Sequence, residues 1–193
     1  MSSATLAACA RRRRAIVVSV AITCATGGCA VALSPEVMVP SPPVTAARTE
    51  KTITVAQVTT EGEASTAALD PAEQFKVADE QFRVALVKAL EASGMFRRVT
   101  SAGRGDYQLL ARIVAQQSQR AGFLTVTSSF VANYRLREEE SGREVWRETI
   151  VTHETAEGRP FSEGVPGAGK KALAAAVRRN IADMLEKLAR GVQ

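Results

Sequence analysis

The chain has 193 residues, of which 46% are hydrophobic and 23% charged, and its formal net charge is +5. This length suits one domain with short appendages, and the apolar content excludes a wholly disordered protein. No apolar run reaches the roughly 18 residues of a membrane-spanning helix, which excludes a multi-span membrane protein. The only cysteines, Cys9, Cys24 and Cys29, are too few and too clustered for a disulfide scaffold.

The N-terminus has the pattern of a secretory signal peptide. Consecutive arginines, Arg11–Arg14, precede an apolar stretch, Ala15–Ala25, that is short for a permanent membrane span. We therefore expect residues 1–28 to be removed during export. Because they contain four arginines and no acidic residue, their removal lowers the formal charge from +5 to +1. The basic charge thus belongs to the export signal, and we expect no nucleic-acid partner.

The sequence Thr26-Gly27-Gly28-Cys29 resembles the lipobox of bacterial lipoproteins, with Thr26 where that family prefers Leu. The resemblance implies cleavage after Gly28 and a diacylglycerol and an N-acyl chain, such as palmitate, on Cys29. Ala30 is not the Asp that retains such lipoproteins in the inner membrane, which implies the periplasmic face of the outer membrane. Two alternatives stay open. Cleavage after Ala32 would give a soluble periplasmic or secreted protein, and an uncleaved signal would itself be the anchor.

Residues 29–50 are predicted to form a lipidated N-terminus and a proline-rich tether. Four of the seven prolines of the chain, Pro35, Pro40, Pro42 and Pro43, lie close together here. Proline lacks an N–H group and has a fixed φ, so this composition predicts an extended linker. At about 3.1 Å per residue, the linker would reach roughly 65 Å from the membrane. A disordered arm without a spacing role is the alternative.

Residues 51–193 have the pattern of a single periplasmic α+β domain. Alternating β-branched residues predict a first strand at residues 52–58. Asp70-Pro71-Ala72-Glu73 predicts the start of a helix that ends at Ser93-Gly94. A short strand is predicted at residues 95–99.

Three longer alternating segments predict strands that begin near Tyr107, Leu124 and Arg143. The short polar loops between them predict antiparallel pairing. A last amphipathic helix is predicted at about residues 168–190. Two amphipathic helices on one face of the sheet make a two-layer α+β sandwich, whose mainly antiparallel sheet has four or five strands.

Each near-match to a catalytic motif lacks a required residue. The segment Gly164–Lys170 copies most of a nucleotide-binding P-loop, but Lys171 stands where Ser or Thr must bind magnesium. His153 begins a near-match to a zinc-binding HExxH motif, but Glu157 stands where the second His must be. No cysteine follows Cys29. We therefore predict no enzyme activity, no bound nucleotide, no metal and no cofactor beyond the acyl groups.

Clusters of charge in the predicted domain are expected to form solvated surface. Glu138, Glu139 and Glu140 lie in a predicted hairpin loop. The basic pairs Arg97-Arg98, Lys170-Lys171 and Arg178-Arg179 are short and separated, and aromatic residues do not alternate with them.

The order of elements behind the lipobox resembles small bacterial envelope lipoproteins of the YajG type. More distantly, it resembles domains of the lipoprotein activator of penicillin-binding proteins and of the curli-secretion lipoprotein. The segments that carry the resemblance are Phe82–Leu90, Gly94-Met95-Phe96, Asp106-Tyr107-Gln108-Leu109, Tyr134-Arg135-Leu136 and Ser141–Trp146. They occupy packing and turn positions, so the resemblance brings no site with it.

These observations predict a non-enzymatic lipoprotein that is anchored in the outer membrane and acts as a binding or adapter module in cell-envelope assembly or maintenance. The expected partner is an envelope protein or a cell-wall component. The candidate contact surface is the polar side of the second long strand, with Thr125, Thr127, Ser129 and Asn133, or an unpaired sheet edge. One alternative is an auxiliary subunit of an envelope lipid or export transporter, with an apolar ligand between helices and sheet. The other is a hydrolase whose pocket brings two carboxylates together.

Overall fold

The computed structural model describes residues 30–45, 47–61 and 71–191. The elements in chain order are strands β1 Val31–Ala32, β2 Thr49–Val55, β3 Thr59–Thr60 and β4 Phe75–Lys76, helix α1 Asp79–Ser93, strands β5 Phe96–Thr100, β6 Tyr107–Arg120, β7 Thr125–Glu138 and β8 Glu144–Glu157, and helix α2 Gly164–Gly191. Single 3-10 turns lie at Pro35–Val37 and Pro71–Glu73. The predicted signal peptide and Cys29 lie outside the described residues.

The main sheet has six strands in the order β5-β2-β6-β7-β8, and β3 pairs with β6 beyond the end of β2. Strands β6, β7 and β8 are antiparallel, which confirms the predicted pairing. However, β2 is parallel to both β5 and β6. The sheet is therefore mixed, although most of its paired residues lie in the antiparallel strands β6, β7 and β8, as predicted. It has six strands rather than four or five, because the two-residue strand β3 also pairs with β6. Two crossovers cause the parallel pairing. Helix α1 leads from β2 to β5 and returns the chain in the same direction, and the loop between β5 and β6 then crosses β2 so that β6 also runs parallel to it.

Both helices pack on one face of the sheet, so the two-layer α+β sandwich is confirmed. Alternate residues of β7 show the division of the two faces. The even-numbered residues from Val126 to Leu136 are buried and face the helices. The odd-numbered residues between them are only half-buried and face the other way. The ring of Phe82 in α1 meets that of Phe130 in β7 edge-to-face, with ring centroids 5.3 Å apart.

One buried polar side chain fixes α2 on the sheet. Asn180 is 0% exposed, and its Oδ1 accepts a hydrogen bond from the Tyr134 hydroxyl at 2.7 Å. Its Nδ2 donates to the carbonyl of Ile150 at 2.9 Å. Burial raises the pKa of Tyr134, so this hydroxyl stays a neutral donor. Because these groups must pair with each other, they specify the position of α2 along β7 and β8.

The predicted N-cap Asp70 lies outside the described residues, and the predicted helix start at Pro71 is wrong. A 3-10 turn and β4 come first, and α1 begins only at Asp79. Contacts with distant parts of the chain hold this backbone extended. The N–H of Val31 donates to the carbonyl of Gln74 at 2.8 Å, and the N–H of Val77 donates to Oε1 of Gln116 at 2.7 Å. Tertiary pairing therefore overrides the local helix signal. At the other end, Gly94 ends α1 with φ 65°, as predicted.

The described part of the predicted tether packs on the domain. Leu33 and Met38 are 1% and 0% exposed and belong to the main core, while β1 pairs with β4. Glu36 forms an ion pair with Lys88 of α1 at 2.6 Å. These residues are therefore not an extended linker. Prolines prevent regular helix and central strand here, but the apolar side chains between them still find space in the core.

We predict that Leu33→Ala and Met38→Ala each lower the free energy of unfolding by about 3 kcal/mol, because each leaves a cavity in the core. Urea unfolding, followed by the fluorescence of the single tryptophan, Trp146, measures the change. Thr45→Ala, at an exposed position of the same segment, is the matched control and should be nearly neutral. A free tether would instead tolerate all three substitutions equally.

We also predict that Asn180→Leu costs about 2–3 kcal/mol, because the buried Tyr134 hydroxyl loses its acceptor. Tyr134→Phe should cost about 1–2 kcal/mol by leaving Oδ1 of Asn180 without that donor. The double variant should lose less than the sum of the two, which the same urea titration measures. Strict additivity would show that the pair does not act as a unit. Arg178→Ala, exposed on the same helix, is the control.

Candidate functional site: the outer sheet face

The sheet face opposite the helices, called the outer sheet face below, carries the predicted contact residues. Thr125, Thr127, Ser129 and Asn133 lie along β7 at alternate positions, and each is half-buried. Successive side chains of a strand point to opposite faces, which is why the alternation places all four together. The structure thus brings the predicted residues into one row, and their role in binding stays a prediction.

Cross-strand hydrogen bonds hold this row in place. The hydroxyls of Thr127 and Thr155 are 2.9 Å apart, and Nδ2 of Asn133 donates to Oγ1 of Thr149 at 2.8 Å. Pairs of this kind stabilise neighbouring strands and order their side chains. The face is therefore a fixed polar surface rather than a set of independent side chains.

The same face carries arginines that are far apart in the sequence. Arg135 and Arg137 continue the outward row of β7 after Asn133. Strand register places Arg147 of β8 directly opposite Arg135, and Arg112 of β6 directly opposite Asn133. We call Arg112, Arg135, Arg137 and Arg147 the arginine row.

Nearby acidic groups neutralise part of the arginine row. Arg112 lies 3.4 Å from Glu61, and Arg147 lies 2.8 Å from Glu144. Nε of Arg135 donates to Oδ1 of Asn133 at 3.4 Å. A depression of about 270 Å³ is lined by Arg112, Arg135, Arg137, Asn133, Leu110, Ala111, Gln57 and Thr59. Guanidinium groups bind carboxylates and phosphates through two parallel hydrogen bonds, so this part of the face can receive an anionic partner.

Alternation along the strand already placed Arg135 on the same face as Asn133, but the arginine row as a whole was not predicted, because basic clusters were sought only among adjacent residues. Arg135 and Arg137 are two apart, which is the spacing of one face of a strand, and this signal was present in the sequence. Arg112 and Arg147 join them only through the register of three strands. Of the basic pairs singled out from the sequence, Lys170-Lys171 and Arg178-Arg179 lie in α2, on the opposite side of the sheet.

A second depression, of about 410 Å³, brings carboxylates together at the end of the sheet where β6 begins. Its lining is Lys51, Arg104, Gly105, Asp106, Tyr107, Glu138, Glu139 and Glu140. Asp106 accepts hydrogen bonds from the N–H and the hydroxyl of Thr52 at 2.7 and 2.8 Å, which hold its pKa below the ordinary value. Glu138 accepts from Ser141 at 2.6 Å within the hairpin turn. A catalytic acid needs a raised pKa, and that of Asp106 is shifted the other way, so the hydrolase hypothesis gains no support.

Asp106 has a structural task instead. The loop between β5 and β6 crosses β2, and a Cβ on Gly105 would lie only 3.0–3.2 Å from atoms of Thr54 and Thr52. The carboxylate of Asp106 ties this crossing to β2. Asp106, just before the start of β6 at Tyr107, thus serves to hold the loop in position where it crosses β2.

The apolar-ligand hypothesis requires space between helices and sheet. That layer is filled by Phe82, Phe130 and Tyr134, each 0% exposed. An apolar ligand there would have to displace these side chains.

The near-matches to catalytic motifs have ordinary structural positions. Residues 164–170 form the first turns of α2 rather than a phosphate-binding loop. His153 lies within β8 and faces outward, opposite Ser129. Among the described residues there is no cluster of three or more His, Cys, Asp or Glu that could hold a metal ion. In the same part of the chain, every helix is too short or too polar to cross a membrane.

Solved bacterial structures are similar to this chain. A Xanthomonas campestris protein of the DUF330 family is 18% identical, with a TM-score of 0.55 over 80% of this chain and 97% of that chain. A hypothetical protein from Chlamydia trachomatis is 9% identical, with a TM-score of 0.55 over 75% of this chain and 98% of that chain. A minor lipoprotein from Acinetobacter baumannii is 13% identical, with a TM-score of 0.37 over 74% and 90% of the two chains.

No protein-family model matches the sequence, and the comparison with curated proteins also finds no match. The two structures with a TM-score of 0.55 show the fold of this chain. Neither of these two structures is named as an enzyme.

We predict that Asp106→Asn destabilises the protein at pH 7 and that the loss shrinks on acidification. The pKa of Asp106 is lower in the folded state, so its contribution is present above the unfolded pKa, near 4, and disappears as the pH falls through the folded value. Urea unfolding between about pH 7 and pH 2.5 tests this linkage. Glu140→Gln, exposed in the same depression, makes the same charge change as a control. An equal loss at every pH would contradict the account.

Proposed function

We propose that this chain is a lipid-anchored protein of the bacterial envelope, acylated at Cys29 and held at the periplasmic face of the outer membrane. It acts as a non-enzymatic adapter, and its outer sheet face binds an envelope protein or a cell-wall component. The observation that carries the binding role is the arginine row beside Asn133 on a face that neither helix covers. We also propose that the chain is related to envelope lipoproteins of the YajG type.

The packing of the N-terminal segment supports cleavage after Gly28 rather than after Ala32. Cleavage after Ala32 would remove β1 and with it the hydrogen bond from Val31 to Gln74. Cleavage after Gly28 would leave β1 complete. The folded domain therefore uses residues that the alternative cleavage would discard.

The chemistry of the outer sheet face favours an anionic partner. Arg135 and Arg137 line an open depression, and the amide group of Asn133 lines the same depression. Acidic side chains of a protein, or phosphate and carboxylate groups of a cell-wall polymer, fit such donors. The hydroxyls of Thr125, Thr127 and Ser129 extend the face toward the other end of β7.

The test is photo-cross-linking in intact cells with the full-length chain. A photoreactive amino acid at Thr127 or Asn133 should capture a discrete partner, whereas a probe at Glu91, exposed on α1, should not. Arg137→Glu should reduce the yield at Asn133 about tenfold or more, because it places a like charge against the partner. Arg137→Lys keeps the positive charge but lacks the planar guanidinium group that can donate two parallel hydrogen bonds. The cross-linking yield should therefore fall less than with Arg137→Glu.

The same cross-linked species at Glu91 and at Asn133 would contradict a specific role for the outer sheet face. Equal yields from Arg137→Glu and the unsubstituted chain would contradict an anionic partner. The absence of any partner from every outward position of β7 would contradict the adapter role itself.

A further inference from the structure

The two most exposed large apolar side chains of the described residues lie at one end of the sheet. Phe123 is 89% exposed in the loop between β6 and β7, and Phe161 is 110% exposed in the loop between β8 and α2. The two loops are neighbours, because the N–H of Gly158 donates to the carbonyl of Leu124 at 2.8 Å. We call residues 121–124 and 158–163 the loop end.

The backbone at Phe161 is strained as well as exposed. Its φ of 65° lies in the left-handed region, which a bulky aromatic residue adopts only at a cost. No core contact offsets this cost, since the side chain faces solvent. An exposed aromatic side chain on a strained backbone indicates a role in binding rather than in packing.

The N-terminal segment reaches the domain at the same end. β1 is parallel to β4, so the chain before Val31 runs toward the 3-10 turn that precedes β4. Ala72 of that turn belongs to the same apolar cluster as Val126, against which Leu124 of the loop end packs. Val31 is itself 48% exposed. Three of the four exposed large apolar side chains described, Val31, Phe123 and Phe161, are thus grouped there.

The predicted anchor, Cys29, lies outside the described residues but close to this end in sequence. Cys29 is two residues from Val31, and two residues of chain span at most about 8 Å between Cα atoms. This step depends on the proposed acylation of Cys29. An acylated Cys29 would hold the loop end at the membrane surface, in place of the distant position that a free tether would allow.

The one acidic residue of the loop end, Glu163, is paired with Lys171, so the remaining basic side chains around the loops suit a phospholipid surface. Arg120 and Arg159 are exposed and lie close in sequence to Phe123 and Phe161 respectively. Lys170 is also exposed, with Nζ 5.8 Å from the ring centre of Phe75 in β4. Apolar tips bordered by basic side chains are typical of surfaces that enter the interfacial region of a bilayer.

We infer that the loop end is a membrane-docking surface, with Phe123 and Phe161 inserted among the lipids beside the acyl chains of Cys29. The long strands β6, β7 and β8 then extend away from the membrane. In this orientation the outer sheet face is open to the periplasm, and the end of the sheet with Asp106 and Glu138 lies farthest from the lipid.

The test uses the processed full-length protein, purified from membranes and reconstituted in vesicles of phosphatidylethanolamine and phosphatidylglycerol. Phe123→Cys, Phe161→Cys and, at the opposite hairpin, Ser141→Cys are each labelled with an NBD fluorophore. Nitroxide-labelled phosphatidylcholine in the vesicles should quench the first two labels but not the third. Aqueous dithionite should reduce the first two about fivefold more slowly than the label at residue 141.

Three results would overturn the inference, and they are distinguishable. Equal access of dithionite to all three positions would reject docking. Protection from dithionite without quenching by the lipid nitroxide would show that a protein, not lipid, covers the loop end. Labelling of the unsubstituted processed chain would reveal a free thiol at Cys29, which rejects the proposed anchor and with it the basis for docking.

Discussion

The inner face of the sheet is buried under two helices, and the other features of the molecule depend on this burial. The helix α2 covers β7 and β8, and α1 covers the side of β2 and β5. Apolar side chains supply most of the stabilisation, since burial of each one removes a large apolar area from water. Asn180 adds specificity, because its amide must meet Tyr134 and the carbonyl of Ile150 at one position of α2.

Burial of one face leaves the other face and the ends of the sheet for function. The outer sheet face stays uncovered, and register collects Arg112, Arg135 and Arg137 there from two strands. The N-terminal segment completes the core through Leu33 and Met38, which fixes the point where the chain leaves the domain. The proposed acyl anchor on Cys29 would follow directly in sequence and would determine which end faces the membrane. Under this proposal, packing of the polypeptide decides both which end of the domain faces the membrane and which sheet face is open to a partner.

The sequence predicted correctly those helices and strands whose residue pattern lies within one continuous stretch of the chain. Alternation located β6, β7 and β8 and the outward row of Thr125 to Asn133, and Ser93-Gly94 located the end of α1. Non-local contacts decided the rest. Pairing of β4 with β1 moved the start of α1, the crossover through α1 made β2 parallel to its neighbours, and strand register assembled the arginine row. The single spacing signal available for that row was Arg135-x-Arg137, which is visible only when the strand is already assigned.

The central claim is that the chain is an envelope lipoprotein whose folded domain begins almost at its anchor. Mass spectrometry of the N-terminal peptide, from protein purified out of native membranes, tests it most directly. We expect a mature N-terminus at Cys29 that carries a diacylglycerol and an N-acyl chain, followed by an intact Ala30-Val31-Ala32. An N-terminus at Leu33, or an unmodified Cys29, would contradict it.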